Sequence, residues 1–128
     1  MFAFVRFSLI AFFMALVTPA FAGGAAVQAF TCAVEDEVTE EIMVSRASAW
    51  MKAAKTVKGG ENIRVSLHWP VAANMQEGDV LFVITMPTMA EWGAFWDNYG
   101  GSAPDQLDKK NDDVSCTKAR LFESVAIQ

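Results

Sequence analysis

The chain has 128 residues, of which 53% are hydrophobic and 20% charged. A chain of this length and composition forms one compact domain around a single core, which disfavours both a disordered protein and a two-domain enzyme. The apolar excess is concentrated in residues 1–22, and the remainder has the composition of an ordinary water-soluble domain.

Residues 1–22 have the parts of a secretion signal. Arg6 gives the N-terminal part a positive charge, residues 7–17 form a run that is apolar except for Ser8, and residues 20–22 read A-x-A, the pattern that signal peptidase recognises. A retained membrane anchor is disfavoured because the apolar run is shorter than the roughly 20 residues that span a bilayer. We therefore expect cleavage after Ala22 and a periplasmic or secreted single domain of residues 23–128.

The charge of the mature chain argues against two classes of partner. Removal of residues 1–22 takes away one Arg and no acidic residue, which leaves 9 basic and 15 acidic residues and a net charge of −6. Such a surface repels phosphate backbones and anionic lipid headgroups. The longest basic run, Lys109-Lys110, is itself followed closely by Asp112 and Asp113. We expect no nucleic acid and no membrane as partner after cleavage.

Cys32 and Cys116 are the two cysteines of the chain. In an exported protein, two cysteines most simply form a disulfide. A redox-active pair would have C-x-x-C spacing, and a zinc site would need more ligands than two cysteines and the single histidine, His68. We predict a structural disulfide between Cys32 and Cys116, no metal site and no other cofactor.

The hydrophobic pattern along the mature chain predicts four strands and two helices. The strands are predicted at residues 28–34, 63–69, 80–86 and 118–126, and the helices at residues 39–57 and 88–99. Residues 102–115 are polar and predict a long loop, with at most one helical turn around residues 106–110.

Both helices have start and stop signals. Thr39 is placed to cap the first helix, and the glycines at 59–60 end it. Thr88 and Glu91 have the spacing of a capping box at the start of the second helix, and the glycines at 100–101 follow its end. These signals define both ends of each predicted helix.

The element order βαββαβ predicts an α+β, ferredoxin-like sandwich. In this fold a four-stranded antiparallel sheet has the spatial order 4-1-3-2, and the two helices cover one face. Strands 1 and 4 are then antiparallel neighbours, so Cys32 at the end of strand 1 lies beside Cys116 at the start of strand 4. The geometry that a disulfide needs would arise without distortion.

The other face of the predicted sheet has mixed character. Strand 63–69 alternates and places Arg64, Ser66 and His68 on this face, whereas strand 80–86 is apolar on both faces. A sheet face with several large apolar side chains is usually buried in an interface, and a second copy of the same sheet could bury it. We expect a homodimer whose facing sheets enclose a pocket for a small apolar or aromatic ligand, with Arg64, Ser66 and His68 orienting it.

Three segments resemble the dimeric α/β-barrel superfamily. They are the strand at residues 63–70, the Gly78-Asp79 turn into strand 80–86, and the start of the second helix at residues 86–93. In that superfamily two ferredoxin-like subunits pack their sheets face to face around a pocket. Its members include cofactor-independent monooxygenases, haem-degrading enzymes, lactone isomerases and uncharacterised exported proteins. The resemblance therefore implies a fold and a homodimer, and leaves the reaction open.

Catalysis is an alternative that the sequence leaves open. His68 beside Ser66 and Arg64 could carry a proton near neutral pH, as in a monooxygenase-like or isomerase-like enzyme. The competing interpretation is a solvated strand residue, which is favoured because the sequence places no carboxylate partner beside His68. A protein-interaction domain that docks through the open sheet face is a further alternative.

Two other sets of side chains suggest ligand binding. The first set is the four tryptophans, Trp50, Trp69, Trp92 and Trp96. Their helical and strand spacing favours core packing over a ligand cage. The second set is the four aspartates Asp105, Asp108, Asp112 and Asp113. Their spacing misses the calcium-loop pattern, so we expect a solvated charged loop.

Overall fold

The computed structural model describes residues 23–71 and 79–127. Its elements are, in chain order, β1 (Ala25–Val34), α1 (Glu40–Ala54), β2 (Arg64–His68), β3 (Asp79–Met86), α2 (Met89–Asp97), α3 (Ala103–Asp108) and β4 (Val114–Ser124). The predicted signal segment with its cleavage site and Gly78 of the predicted turn lie outside the described residues. Within the described ranges, none of the helices combines the length and the apolar character that crossing a bilayer requires.

The four strands form one antiparallel sheet in the order β2-β3-β1-β4. β1 pairs with both β3 and β4, so the first strand lies in the middle of the sheet and the last strand forms an edge. This is the predicted order of the strands. Together with the helices it confirms the α+β, ferredoxin-like fold class.

Helices α1 and α2 pack against the same face of the sheet. Trp50 of α1 contacts Phe82 of β3, and Trp96 of α2 contacts Phe30 of β1. Phe30 and Phe82 are partners in the β1–β3 register and therefore point to the same side. Phe95 of α2 is fully buried in the core beneath them. The buried members of this core cluster are Ala26, Trp50, Ala54, Val57, Ile63, Ile84, Met86 and Phe95.

Threonines cap both long helices, as predicted. The Thr39 hydroxyl oxygen accepts the N–H of Ile42 at 3.3 Å, and the Thr88 hydroxyl oxygen accepts the N–H of Glu91 at 3.1 Å. The Glu91 carboxylate accepts hydrogen bonds from the Thr88 hydroxyl and from the Asn62 side-chain amide, both at 2.9 Å. Glu91 thereby fastens the start of α2 to the turn before β2.

The turn after α1 brings the chain against α2. Gly59 has φ +90°, a conformation that glycine adopts without strain. A Cβ at Gly59 would lie 2.5 Å from the carbonyl oxygen of Glu91 and from the amide nitrogen of Phe95. The turn therefore needs glycine for its backbone conformation and also for its close approach to α2.

Cys32 and Cys116 form the predicted disulfide. They are partners in the β1–β4 register, with Cα atoms 3.9 Å apart, and a bulge between Thr31 and Cys32 brings them into line. Cys32 is fully buried, whereas Cys116 is exposed on the edge strand. The disulfide fastens the edge strand β4 to the central strand β1.

The structure differs from the prediction in residues 102–115. α3 begins at Ala103, with Pro104 in its first turn, where the missing N–H is not needed. β4 begins at Val114, earlier than predicted, because Val114 pairs with Val34. The polar composition of the segment concealed α3 and the first residues of β4, since neither buries a periodic apolar face.

Candidate functional site

A cavity of about 390 Å³ opens between α1 and α2 on the helix-covered side of the sheet. We name it the aromatic cavity. It is lined by Phe30, Met43, Arg46, Ala47, Trp50, Phe82, Ile84, Trp96, Tyr99, Asp108, Asn111, Val114 and Cys116. Phe30, Phe82 and Ile84 of the two central strands form its floor. Small-molecule sites commonly measure about 300 to 1,000 Å³ and have such mainly apolar linings with a few polar groups.

Aromatic rings that support one another form the wall of the cavity. The ring centroids of Trp50 and Phe82 are 5.2 Å apart in an edge-to-face pair, and those of Trp96 and Tyr99 are 4.7 Å apart. Phe30 lies 6.2 Å from Trp96. Such tilted and edge-on pairs are favourable in addition to the area they bury, so the wall is preorganised.

Gln28 of β1 anchors the α2 side of this wall. Trp92 and Trp96 both donate their indole N–H to Oε1 of Gln28, at 2.9 and 2.8 Å. The two bonds tie α2 to the central strand. They also fix the plane of the Trp96 ring, which lines the cavity.

A chain of polar groups crosses one end of the aromatic cavity. The indole N–H of Trp50 donates to the Tyr99 hydroxyl at 3.4 Å, and the Tyr99 hydroxyl donates to the Asp108 carboxylate. Asp108 as a whole residue is exposed, yet its carboxyl group lies against these aromatic side chains. Burial there raises the pKa of Asp108. The pKa of Tyr99 is also raised, mainly by burial and to a smaller extent by its hydrogen bond to Asp108.

Arg46, the second charged side chain of the cavity lining, forms an ion pair with Asp113. Both terminal guanidinium nitrogens of Arg46 on α1 donate to the carboxylate of Asp113, at 2.5 and 2.9 Å. The hydrogen bond from Arg46 lowers the pKa of Asp113, and the same bond raises the pKa of Arg46. This bidentate pair connects α1 to the segment that leads into β4.

The sheet face away from the helices has an ordered pattern, and we name it the open face. Three rows of its side chains run across all four strands: Arg64, Thr85, Val27 and Phe122; Ser66, Val83, Ala29 and Arg120; His68, Leu81, Thr31 and Lys118. The six residues in the middle of these rows are half-buried, and four of them are apolar, the exceptions being Thr85 and Thr31. Basic side chains stand at both edges of the open face.

The three residues that the sequence nominates for ligand binding, Arg64, Ser66 and His68, all lie on β2 at one edge of the open face. All three are exposed, and the Ser66 hydroxyl is 2.9 Å from Nε2 of His68. Arg64 also lines a cavity of about 510 Å³ at the end of the sheet, with Lys55 and Glu61. Long exposed side chains form that wall, so it is less preorganised than the aromatic cavity.

Sequence reasoning missed the aromatic cavity. The tryptophans were expected to pack in the core, and Trp50 does so with 5% of its surface exposed, whereas Trp69 is 38% exposed and does not. Trp50 and Trp96 also form the cavity wall. The sequence carried one usable signal. Ala47 is a small residue between Met43 and Trp50 on the apolar stripe of α1, and a small residue at such a position leaves a gap in the packing.

Three of the four aspartates of the predicted charged loop have protein partners, and the fourth, Asp112, is exposed. Asp105 accepts hydrogen bonds from the Gly101 N–H at 2.8 Å and from Lys109 at 2.7 Å, and the Lys109 bond lowers its pKa. Asp108 and Asp113 are bonded to Tyr99 and Arg46. In the part of the chain that the structure describes, no group of three or more metal-ligand side chains comes together.

The aromatic cavity and the open face are the two candidate functional surfaces of the described residues. They lie on opposite sides of the sheet and share no side chain, so each can be tested without disturbing the other. Comparison of the chain with protein-family models, curated proteins and solved structures finds no match.

Proposed function

We propose that the protein binds a small, largely aromatic or apolar molecule in the aromatic cavity. The observation that carries this proposal is the cavity itself, about 390 Å³ with a wall of mutually packed rings. Burial of a ligand against such rings is driven by the removal of apolar surface from water. The preorganised wall reduces the ordering cost of binding.

Polar groups at the edge of the cavity would orient a bound ligand, because they lie on one side of it only. Asp108, the Tyr99 hydroxyl and the Asn111 amide lie on the α2–α3 side, whereas Phe30 and Phe82 form an apolar floor. A ligand with one apolar part and one polar end would fit this arrangement. Binding pockets commonly obtain their specificity from a few such polar groups.

The protein is proposed to act outside the cytoplasm. The disulfide between Cys32 and Cys116 supports this location, because structural disulfides persist in oxidising compartments. The A-x-A segment at residues 20–22 supports it independently. A periplasmic or secreted binding protein is the reading that combines these features with the cavity.

The test is to fill the aromatic cavity. Ala47→Phe places a large side chain in the cavity, and Ala49→Phe makes the same change at an exposed position of the same helix. Native mass spectrometry of protein purified from its own host should detect a co-purifying small molecule on the unsubstituted protein and on Ala49→Phe. Ala47→Phe should lose it. Retention of the molecule by a folded Ala47→Phe protein would contradict the proposal.

A second candidate places a ligand on the open face. It rests on the apolar side chains of that face, such as Val83 at its centre and Phe122 on the edge strand β4, which a second copy of the chain would cover. The homodimer of the dimeric α/β-barrel superfamily would then enclose a pocket at whose edge Arg64, Ser66 and His68 lie. A proton-carrying enzyme that uses His68 belongs to this second candidate.

A further inference from the structure

The charges around the aromatic cavity do not cancel. Arg46 and Asp113 neutralise each other through two hydrogen bonds. Asp108 is the other charged side chain of the lining, and it takes part in neither of the ion pairs found among the described residues, Arg46–Asp113 and Lys109–Asp105. One carboxylate of the cavity is therefore left without a cation.

We propose that the aromatic cavity takes an organic cation, an alkylammonium or quaternary ammonium group carried on an apolar body, with its charge held by Asp108 and the adjacent aromatic rings. This inference rests on the proposed binding function and names the ligand class. It adds a sign of charge, which the volume and the apolar lining alone leave open.

The wall of the cavity suits a cation. The faces of aromatic rings carry partial negative charge, and tryptophan attracts cations most strongly. Trp50, Trp96 and Tyr99 line the cavity together, with Tyr99 placed 6.4 Å from Trp50 and 4.7 Å from Trp96 between ring centroids. Clusters of this kind bind quaternary ammonium groups because they attract the charge without needing hydrogen-bond donors from it.

Asp108 lies where it can complete such a site. Its carboxylate accepts the Tyr99 hydroxyl at the rim of the aromatic wall, so the ring and the carboxylate are neighbours. Burial raises the pKa of Asp108, which is the behaviour of a carboxylate that lacks a cation in its surroundings. A bound ammonium group would supply that cation.

An anionic ligand fits the same cavity less well. Among the described residues Arg46 is the one basic side chain in the lining, and both of its terminal nitrogens are already bonded to Asp113. An anion would have to break that bidentate pair and would also approach the Asp108 carboxylate. Both effects disfavour negative charge.

The test compares three ligands of similar shape by isothermal titration calorimetry. Phenyltrimethylammonium carries a permanent positive charge, tert-butylbenzene is its neutral isostere, and benzenesulfonate carries a negative charge. We expect the cation to bind more tightly than its neutral isostere and benzenesulfonate to bind least. Asp108→Asn keeps an acceptor for the Tyr99 hydroxyl and should weaken binding of the cation about tenfold while leaving the neutral isostere unchanged.

Asp97→Asn is the matched control, because Asp97 is exposed at the end of α2 outside the cavity lining. It should leave the affinities for all three ligands unchanged. If tert-butylbenzene binds as tightly as the cation and Ala47→Phe abolishes both, the binding function stands and the cation proposal falls. If none of the three ligands binds, both the proposed binding function and the cation proposal are contradicted. Equal weakening of cation binding by Asp97→Asn and Asp108→Asn would also overturn the specific role of Asp108.

Discussion

Asp108 is a carboxylate in surroundings that disfavour its charge. It lies against Tyr99 and Trp50, and the burial of its carboxyl group raises its pKa in spite of the hydrogen bond from Tyr99. The unfolded chain lacks this burial. Ionised Asp108 therefore lowers the stability of the folded protein near neutral pH. A bound ligand that interacts favourably with the carboxylate would offset this loss of stability.

Asp108→Asn should raise the stability of the ligand-free protein at neutral pH. A folded-state pKa above the unfolded value means that the favourable contribution of Asp108 is complete below the unfolded pKa and is lost as pH rises through the folded one. Asparagine removes the ionisation. Urea unfolding at pH 7 should give a higher midpoint for the variant, and the difference should vanish in acid. A lower midpoint at pH 7 would contradict the assigned surroundings of Asp108.

Asp113→Asn should behave in the opposite way. The hydrogen bond from Arg46 lowers the folded-state pKa of Asp113, so its contribution is present above the unfolded pKa and is lost as pH falls through the folded value. We expect the variant to unfold at lower urea than the unsubstituted protein at pH 7, with the gap closing in acid. Because the pair is partly solvated, added salt should shrink the gap at pH 7. A gap that grows in acid would refute the pairing.

The residues of the aromatic cavity show why a site of this kind is hard to predict from sequence. Trp50 was readable as an apolar position of a helix, and that part was correct. Tyr99 was expected at the end of the second helix, but α2 ends at Asp97 and Tyr99 lies in the turn that follows, packed against the core. Asp108 read as one of several loop aspartates, because its contact with Tyr99 depends on how α3 packs. Arg64, Ser66 and His68 were readable as one face of a strand, since strict alternation fixes the face, and the structure places them there. Their role in binding stays a prediction.

At the scale of elements, local signals determine where α2 begins. The Thr88 hydroxyl oxygen accepts the N–H of Glu91, which would otherwise have no partner at the helix start. Thr88→Ala should lower the free energy of unfolding by about 1 kcal/mol. Thr88→Ser keeps the hydroxyl and is the control, with most of the stability retained in the same urea titration. An equal loss in both variants would mean that the methyl group, and not the cap, is responsible.

The disulfide acts on the edge of the sheet. It joins residues separated by 84 positions, and the chain-entropy argument gives a stabilisation of about 4–5 kcal/mol for closing a loop of that size. Reductant should therefore lower the melting temperature by many degrees. The double variant Cys32→Ala, Cys116→Ala should melt low already and should not respond to reductant. An unchanged melting temperature for fully reduced protein would remove the structural role.

The fold was largely predictable because its main signals are local. The alternation in β2, the apolar β3 and the caps of both helices gave the order βαββαβ, and that order has few compact solutions. α3 was not predicted as it stands. A helix of six residues has little intrinsic stability, so its existence depends on packing against α1, which is a tertiary effect. The early start of β4 likewise depends on pairing with β1.

At the scale of the whole molecule, the two faces of the sheet have different surroundings. The helices cover one face and leave the aromatic cavity within it. On the open face, Val83 and Leu81 of the central strand β3 are half-buried by their neighbours, and Phe122 on the edge strand is 50% exposed. An exposed phenylalanine beside an apolar centre marks a surface that favours association.

The proposed homodimer through the open face would make one substitution far more damaging than its neighbour. Phe122 lies on the open face with 50% of its surface exposed, and Leu121 lies on the opposite side of the same strand with 40% exposed. Phe122→Ser should weaken dimerisation at least about tenfold, since burying a phenylalanine contributes roughly 1.5–3 kcal/mol and the two-fold pair contains it twice. Leu121→Ser changes a similar exposed area and should leave the association constant unchanged.

Sedimentation equilibrium of both variants and of the unsubstituted protein measures this directly. The basic side chains at both edges of the open face, Arg64 on β2 with Lys118 and Arg120 on β4, outnumber Asp79 of β3 on the same face, so two copies of the face carry net charge of the same sign and repel each other. Added salt should therefore strengthen the dimer, whereas association held together by ion pairs would weaken. A monomer at every concentration, or equal effects of Phe122→Ser and Leu121→Ser, would contradict the homodimer through the open face. The aromatic cavity would then be the remaining proposed ligand site.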